Sequence, residues 1–327
     1  MVSHFRIFIL SSVISAFSLI TPAVSHCQEP IKIITNNWTS QVILSEITGR
    51  IFESMGTKVE YFPSSISDQW GALAYGVGHI QIEVWEGTMS DQFNRMVADG
   101  SIIDAGAHTA TTREDWWYPQ YVEELCPGLP DWKALKACAD LFKRPGSEGE
   151  GIYFSGPWEK PDEARIRALE MNFRVKILSN GDEIWAELKK SYSQKQPIVL
   201  FNWSPNWVES RYPGAFVEFP EHTAACETEP EWGINKTLIY DCGNPKNGWL
   251  KKAATMSFKQ DYQCEFETLK NISFNNHQIA SLAAKVDVDK LSFQAIAEQW
   301  INNNRSLWKS WIPQSCVDKS MHQGHVK

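Results

Sequence analysis

From residue 31 to about residue 106, short apolar runs alternate with segments of helical period. Residues 31–35 (IKIIT) read as a strand, and Thr39 or Ser40 can cap a helix that runs to Met55 and is stopped by Gly56. Residues 58–62 form the next strand. Ile66, Trp70, Leu73 and Val77 then recur at helical spacing in a helix that begins near Ser67 and ends at the glycines 76 and 78. In HIQIEVWEGT, Ile80, Ile82 and Val84 alternate with Gln81 and Glu83 and run into Trp85, the pattern of a short strand with a polar face. A short helix over 90–99 and a strand over 101–105 follow. Strands alternating with helices predict a parallel sheet covered on its faces by helices.

Residues 107–120 (AHTATTREDWWYPQ) lose this period, as expected of a crossing into a second lobe. Alternation then resumes: strand 151–155, helix 161–170, strand 173–178, helix 182–191, strand 197–203. Residues 215–219 read as the return strand, the stretch between Cys226 and Cys242 as a stapled hairpin, and the rest as helices, with Ile296, Trp300 and Ile301 on the apolar face of the last long one. With no further strand in the pattern, those helices pack back on the first lobe. The fold class is therefore α/β, with a leader over 1–25, a first lobe over 26–106, a second lobe over 107–214 and a return to the first over 215–327. Two lobes with two crossings leave a cleft between them.

Three of the strands end in tryptophan: IKIITNNW at Trp38, HIQIEVW at Trp85 and PIVLFNW at Trp203. Ligands of open α/β sheets sit beyond the carboxyl ends of the strands, so these rings and the adjacent Glu86 are placed to form one aromatic box. A core plug at a strand end is the alternative for each ring taken singly. An aromatic box points to a bound cation, met by ring faces.

The 327 residues carry a net charge of −8 without a cluster of Lys and Arg, which excludes a nucleic-acid surface. The apolar run over residues 7–20 follows Arg6, is too short to span a bilayer, and precedes Pro22-Ala23-Val24-Ser25, so a secretory signal peptide cleaved after Ser25 is expected. Lipidation of Cys27 is the weaker reading, because His26 stands where a small residue is wanted. In an exported chain Cys126 with Cys138, and Cys226 with Cys242, are spaced to close local loops, each bridge contributing about 3 kcal/mol in the chain-entropy account. Cys264 and Cys316 form a candidate third pair, and the sequence leaves their pairing with Cys27 open. A zinc site lacks the required spacings. Asn-X-Ser/Thr triplets at Asn37, Asn202, Asn235, Asn271 and Asn304 read as coincidence, since two of them flank box tryptophans.

Enzyme signatures are missing: the chain has no nucleophile elbow, no HExxH and no phosphate loop. The enzymatic alternative is a secreted carbohydrate-binding protein or glycoside hydrolase that uses tryptophan platforms with Glu83 and Glu86 as acid and base. Three residues apart on a strand, these two would face opposite sides, and a solvated or capping glutamate is favoured for each.

Taken together, IKIITNNWTSQ, HIQIEVWEGT, REDWWYPQY, CPGLPDWKALKAC, GPW, WSPNW and TLIYDCG resemble the periplasmic substrate-binding proteins of ABC importers for glycine betaine and related methylated onium solutes. The W-x-P-x-W form of WSPNW is the most specific of these segments. The resemblance covers almost the whole mature chain. It implies a type II periplasmic-binding-protein fold, a monomeric receptor serving a permease and an ATPase in the inner membrane, and no cofactor. Carried over residue by residue, it implies a box of Trp38, Trp85, Trp158 and Trp203, with Trp117 or its neighbour Trp116 as a further wall. Choline-binding relatives place an Asp two residues after the first box tryptophan; Ser40 stands there, which argues against choline.

A trimethylammonium head has no strong hydrogen-bond donor and gains about 0.5 to 2 kcal/mol from each ring face. A carboxylate at the other end, as in glycine betaine or dimethylsulfoniopropionate, would want backbone N–H groups such as those at the Thr39-Ser40 helix start. An N-oxide would want a donor, or a protonated Glu86 or Glu114. Glycine betaine is placed slightly ahead of dimethylsulfoniopropionate and trimethylamine N-oxide. The remaining tryptophans, Trp132, Trp185, Trp232, Trp249, Trp300, Trp308 and Trp311, are read as structural. Glu227, Glu229 and Glu231 with Asp241 are a candidate Ca²⁺ site, weighed against a solvated hairpin face, which we favour.

Overall fold

The computed structural model describes Met1, residues 29–158 and residues 160–317. The body of the expected signal peptide and Cys27 lie outside the described residues. Among the described residues, strands β1 (Ile31–Thr35), β2 (Val59–Pro63), β3 (Ile80–Trp85) and β9 (Gly248–Thr255), with the first part of β4 (Ile102–Pro119), make one sheet in the order β2-β1-β3-β9-β4. β1 runs parallel to β2 and β3, while β9 is antiparallel to β3 and β4. The last part of β4 joins β7 (Val199–Ser204), β5 (Gly151–Ser155) and β6 (Phe173–Ile177) in a second sheet, with β8 (Gly214–Phe216) paired to β4 at its edge. Helices α1 (Thr39–Ser54), α2 (Asp68–Ala74) and α3 (Glu86–Ala98) belong to the first lobe.

β4 crosses between the lobes as one continuous strand. The sequence showed only its first residues, because Gly106 at φ +90° and two shifts of register at Asp104/Ala107 and Ala107/Thr111 break the alternation. Its first part alternates between buried and more exposed positions in the first sheet, whereas residues 114–119 are buried on both faces in the second. The expected return strand at 215–219 is corrected: β8 stays in the second sheet, and the chain returns through β9. Two lysines hide β9 in the sequence. Lys251 pairs with Asp104 at 2.8 Å, and Lys252 is buried with its ammonium on the carbonyls of Lys270 and Ile272.

The segment between Cys226 and Cys242 is not a hairpin but a short helix (Ala224–Thr228) and a 3-10 turn (Pro230–Trp232). Its acidic residues do not converge on a cation: Glu227 holds His222 at 2.9 Å, Asp241 accepts from the Asn235 N–H at 2.8 Å, and no metal-sized cluster occurs among the described residues. Disulfides join Cys126 to Cys138, Cys226 to Cys242 and Cys264 to Cys316.

The first lobe has one core, which includes Ile296, Trp300, Trp308 and Trp311 of the C-terminal helices. The second sheet is packed on both faces, by clusters around Trp116 and around Trp117 with Trp185 and Trp207. Ala283 of the helix Asn276–Asp287 joins the latter cluster, so the C-terminal helices also touch the second lobe. No helix among the described residues is long and apolar enough to cross a membrane.

Candidate functional site

Each sheet directs strand ends toward the cleft. Trp38 follows β1 at the start of α1, Trp85 closes β3, Trp158 follows β5, and Trp203 lies near the end of β7. These four rings, with Ile66, Thr88, Met89, Glu114 and Phe201, line one cavity of about 300 Å³, counting the space at its mouth. The second-lobe rings support one another. Trp203 meets Trp158 edge-on with centroids 5.3 Å apart, and leans on Trp185 at 5.1 Å and Phe201 at 5.7 Å. Gly156 lets Trp158 fold back over its own strand, since a Cβ there would fall 2.2 Å from the indole ring.

The first-lobe rings are held from behind. Trp38 Nε1 and Trp85 Nε1 both donate to Oε2 of Glu83, at 2.8 and 3.0 Å, and Ser40 Oγ donates to the same oxygen at 3.0 Å. Glu83 is fully buried and Oε1 has no partner. Burial pushes its pKa up to about 7, against the lowering effect of the indole and hydroxyl donors. The alternation in β3 misled on this point. β3 is a central strand with every residue buried, so its polar side chains face a second buried layer rather than water.

That layer is built of amides. Gln41 donates to Gln81 at 2.8 Å, and Gln81 donates to both Asn36 and Gln69 at 2.5 Å.

The cavity has one polar corner. Thr88 of α3 donates to Glu114 Oε1, and Lys160 of the second lobe reaches both, Thr88 by a short contact and Glu114 at 2.7 Å. The Lys160 side chain is 3% exposed and its ammonium lies 4.7 Å from the centre of the Phe201 ring. Glu114 Oε2 is buried without a partner.

Of the residues singled out in the sequence, Trp38, Trp85, Trp158 and Trp203 are brought together, and Glu114 joins them. Trp117 and Trp116 are not; both are fully buried in the second lobe, Trp116 stacked at 3.9 Å on Tyr153. Thr39 Oγ1 donates to Asp287 at 2.7 Å, and Ser40 serves Glu83, so neither side chain is turned to the cavity. Glu86 accepts the Trp249 N–H at 3.0 Å, which anchors the start of β9. With Glu83 sealed behind two indoles and Glu86 committed to the backbone, the pair cannot serve as glycosidase acid and base. Thr88 stands in the wall expected after Trp85, while Met89, Phe201 and Lys160 were missed; neither period nor motif marks Met89 or Lys160. Phe201 did carry a signal, two residues before Trp203 on the same strand face.

Two α/β lobes around an aromatic cavity define a cleft-binding receptor. Residues 29–303 match the family described as the substrate-binding domain of ABC-type glycine betaine transport systems, and the chain belongs to that family. It is 37% identical over 293 residues, 86% of this chain and 90% of the relative, to the trimethylamine N-oxide-binding protein of Pelagibacter ubique. Among solved structures, the glycine betaine/L-proline-binding protein of Borrelia burgdorferi has a TM-score of 0.71 at 18% identity, covering 88% of this chain and 98% of its own. Lactococcal OpuAC, closed on glycine betaine, has a TM-score of 0.65 at 14% identity, covering 87% and 100%. The family is one of substrate-binding receptors rather than enzymes.

Proposed function

We propose that this chain is the extracytoplasmic receptor of an ABC importer for small methylated onium solutes, with trimethylamine N-oxide as its preferred ligand. The observation that carries the reading is the cavity wall: four indoles from both lobes surround a space with a single polar corner. Indole faces attract a cation whose charge is spread over methyl groups. An N-oxide presents one anionic oxygen next to the cationic nitrogen, which suits one compact corner of Thr88, Glu114 and Lys160. The longer carboxylate of glycine betaine would want several N–H donors, whereas the polar lining of the cavity besides the indoles is Thr88 and Glu114. The relationship to a trimethylamine N-oxide-binding protein supports the same choice. In this reading residues 1–25 direct export, and the monomeric receptor works in the periplasm, delivering its ligand to a permease driven by an ATPase.

Titration calorimetry against trimethylamine N-oxide, glycine betaine, dimethylsulfoniopropionate, choline, carnitine and an oligosaccharide tests the proposal. Trimethylamine N-oxide should bind most tightly. Glycine betaine ahead by tenfold would reassign the ligand within the class, and tight sugar binding without onium binding would overturn the class.

A further inference from the structure

Glu83 is in an unusual position for a residue that does no more than accept hydrogen bonds. A glutamine carbonyl could take the three donors that reach Oε2, and the neighbouring positions Asn36, Gln41, Gln69 and Gln81 handle their buried polarity as amides. Only the position behind the two cage rings carries a carboxyl, and its other oxygen is buried without a partner. A buried carboxylate with no countercharge is strongly disfavoured.

We propose that Glu83 is a specificity-determining residue of the cage: its carboxylate, sealed behind Trp38 and Trp85, is the countercharge of the methylated cation and sets the two rings that face it. The proposal rests on the onium reading above.

No cation of the protein itself fills this role: Lys160, the ammonium at the polar corner of the cavity, is paired with Glu114 of β4. On β1, Lys32 lies at the opposite end of the strand, where its backbone meets His79. On α1, Glu46 takes the Tyr61 hydroxyl and Arg50 a carbonyl of Gln294; Glu53 lies at the far, C-terminal end. On α3, Glu86 is held by Trp249, Arg95 by Gln92, and Asp91 lies on the exposed surface. On β9, Lys251 pairs with Asp104 and Lys252 caps two carbonyls. His108 of β4 lies on the Ile82 carbonyl at 2.9 Å, and burial pushes its pKa down to about 3, so it is neutral. On α2, Asp68 pairs with Ser65 at the exposed start of the helix. No ion pair reaches Glu83 among the described residues.

A cation in the cage therefore supplies the missing charge. Attraction through a wall of two indoles is weakly screened, because Glu83 is fully buried behind them. Donation by both indole N–H groups to an anion also pushes electron density into the rings, which deepens the negative face a cation meets. The sign of the pH dependence follows. Without ligand, burial keeps Glu83 substantially protonated below about pH 7. A bound cation favours the charged form, so binding expels a proton there, and affinity rises with pH before levelling above about 7.

Tetramethylammonium, whose charge does not change with pH, is the probe of choice beside trimethylamine N-oxide. Both are titrated from pH 5.5 to 8.5 into the wild-type protein and Glu83→Gln, each in two buffers of different ionisation enthalpy. Wild-type affinity for tetramethylammonium should rise several-fold per pH unit below about 7, with proton release, and then level off. Glu83→Gln should bind at least about tenfold more weakly at pH 8, with a flat profile and an unchanged near-ultraviolet spectrum. Glu83→Gln within twofold of a wild type that binds would overturn the role of Glu83 and leave the onium reading intact. Should Glu83→Gln fail to fold, wild-type binding at pH 6 without proton release would overturn the proposal by itself. A wild type that binds neither probe at any pH would overturn both.

Discussion

Trp158 Nε1 of the second lobe lies 3.4 Å from Asn37 Oδ1 of the first, beside Trp38. Lys160, two residues on, crosses the same gap to Thr88. Among the described residues the lobes are also joined by the continuous strand β4, the return into β9, the packing of Ala283, Ala284 and Val288 on the second core and that of Trp203 on the first. Few polar contacts thus hold the cleft shut, and a ligand touching rings on both sides adds to them. Small-angle scattering should show compaction on adding trimethylamine N-oxide, with a narrower distance distribution. An unchanged profile at saturation would mean that closure is not coupled to the ligand.

Trp85 and Trp203 face the cavity from opposite lobes, so each should contribute on its own. Trp→Ala at either position should weaken binding by about 2 kcal/mol or more, roughly thirtyfold. Trp203→Phe should cost less, since phenylalanine keeps a smaller aromatic face. Trp85→Phe should cost more than Trp203→Phe, because it also removes the donor to Glu83. Trp300→Phe, in the first-lobe core, should lower thermal stability and leave affinity near wild type. Calorimetry of the five variants beside unfolding curves separates these effects.

Much of this was legible in the chain because strand ends and cage positions coincide. Trp38, Trp85 and Trp203 each sit where an apolar run stops, and the cleft side of an α/β sheet is set by strand direction. What could not be read depends on which layer lies beneath a strand. Glu83 looked solvated because alternation reports two different faces and not which of them meets water. β9 was invisible because Lys251 and Lys252 find partners contributed by other segments, Asp104 and the Lys270 and Ile272 carbonyls. Trp116 and Trp117 lie where β4 is covered on both faces and, at Trp117, paired on both edges, so their rings join the core of the second lobe.

His108 gives the first lobe a dependence on acid. Its ring accepts the Phe274 N–H at 3.2 Å and meets the Ile82 carbonyl at 2.9 Å, and burial lowers its pKa from 6.5 to about 3. The unfolded chain therefore binds one more proton than the folded one between those values, and stability falls as the pH drops through that window, by up to about 1.4 kcal/mol per unit. Glu83 acts in the opposite sense between 4.5 and about 7, where the folded state holds the extra proton. Subtracting His108→Gln from wild type removes that contribution. Urea unfolding should find the variant less stable at pH 7, with the gap narrowing toward pH 4. A gap independent of pH would mean that His108 does not titrate on unfolding.

The central claim is that the cage reads charge and not only shape. Trimethylamine N-oxide and tert-butanol have nearly the same volume and the same three methyl groups, but only the former carries a cationic centre. Competition calorimetry of the two on wild-type protein at pH 8 isolates that difference. If indole faces and the carboxylate behind them bind the cation, trimethylamine N-oxide should win by about a hundredfold or more, several ring contacts of roughly 0.5 to 2 kcal/mol each being lost with the charge. Binding of tert-butanol within about threefold of trimethylamine N-oxide would contradict the account, leaving the four tryptophans as a hydrophobic pocket.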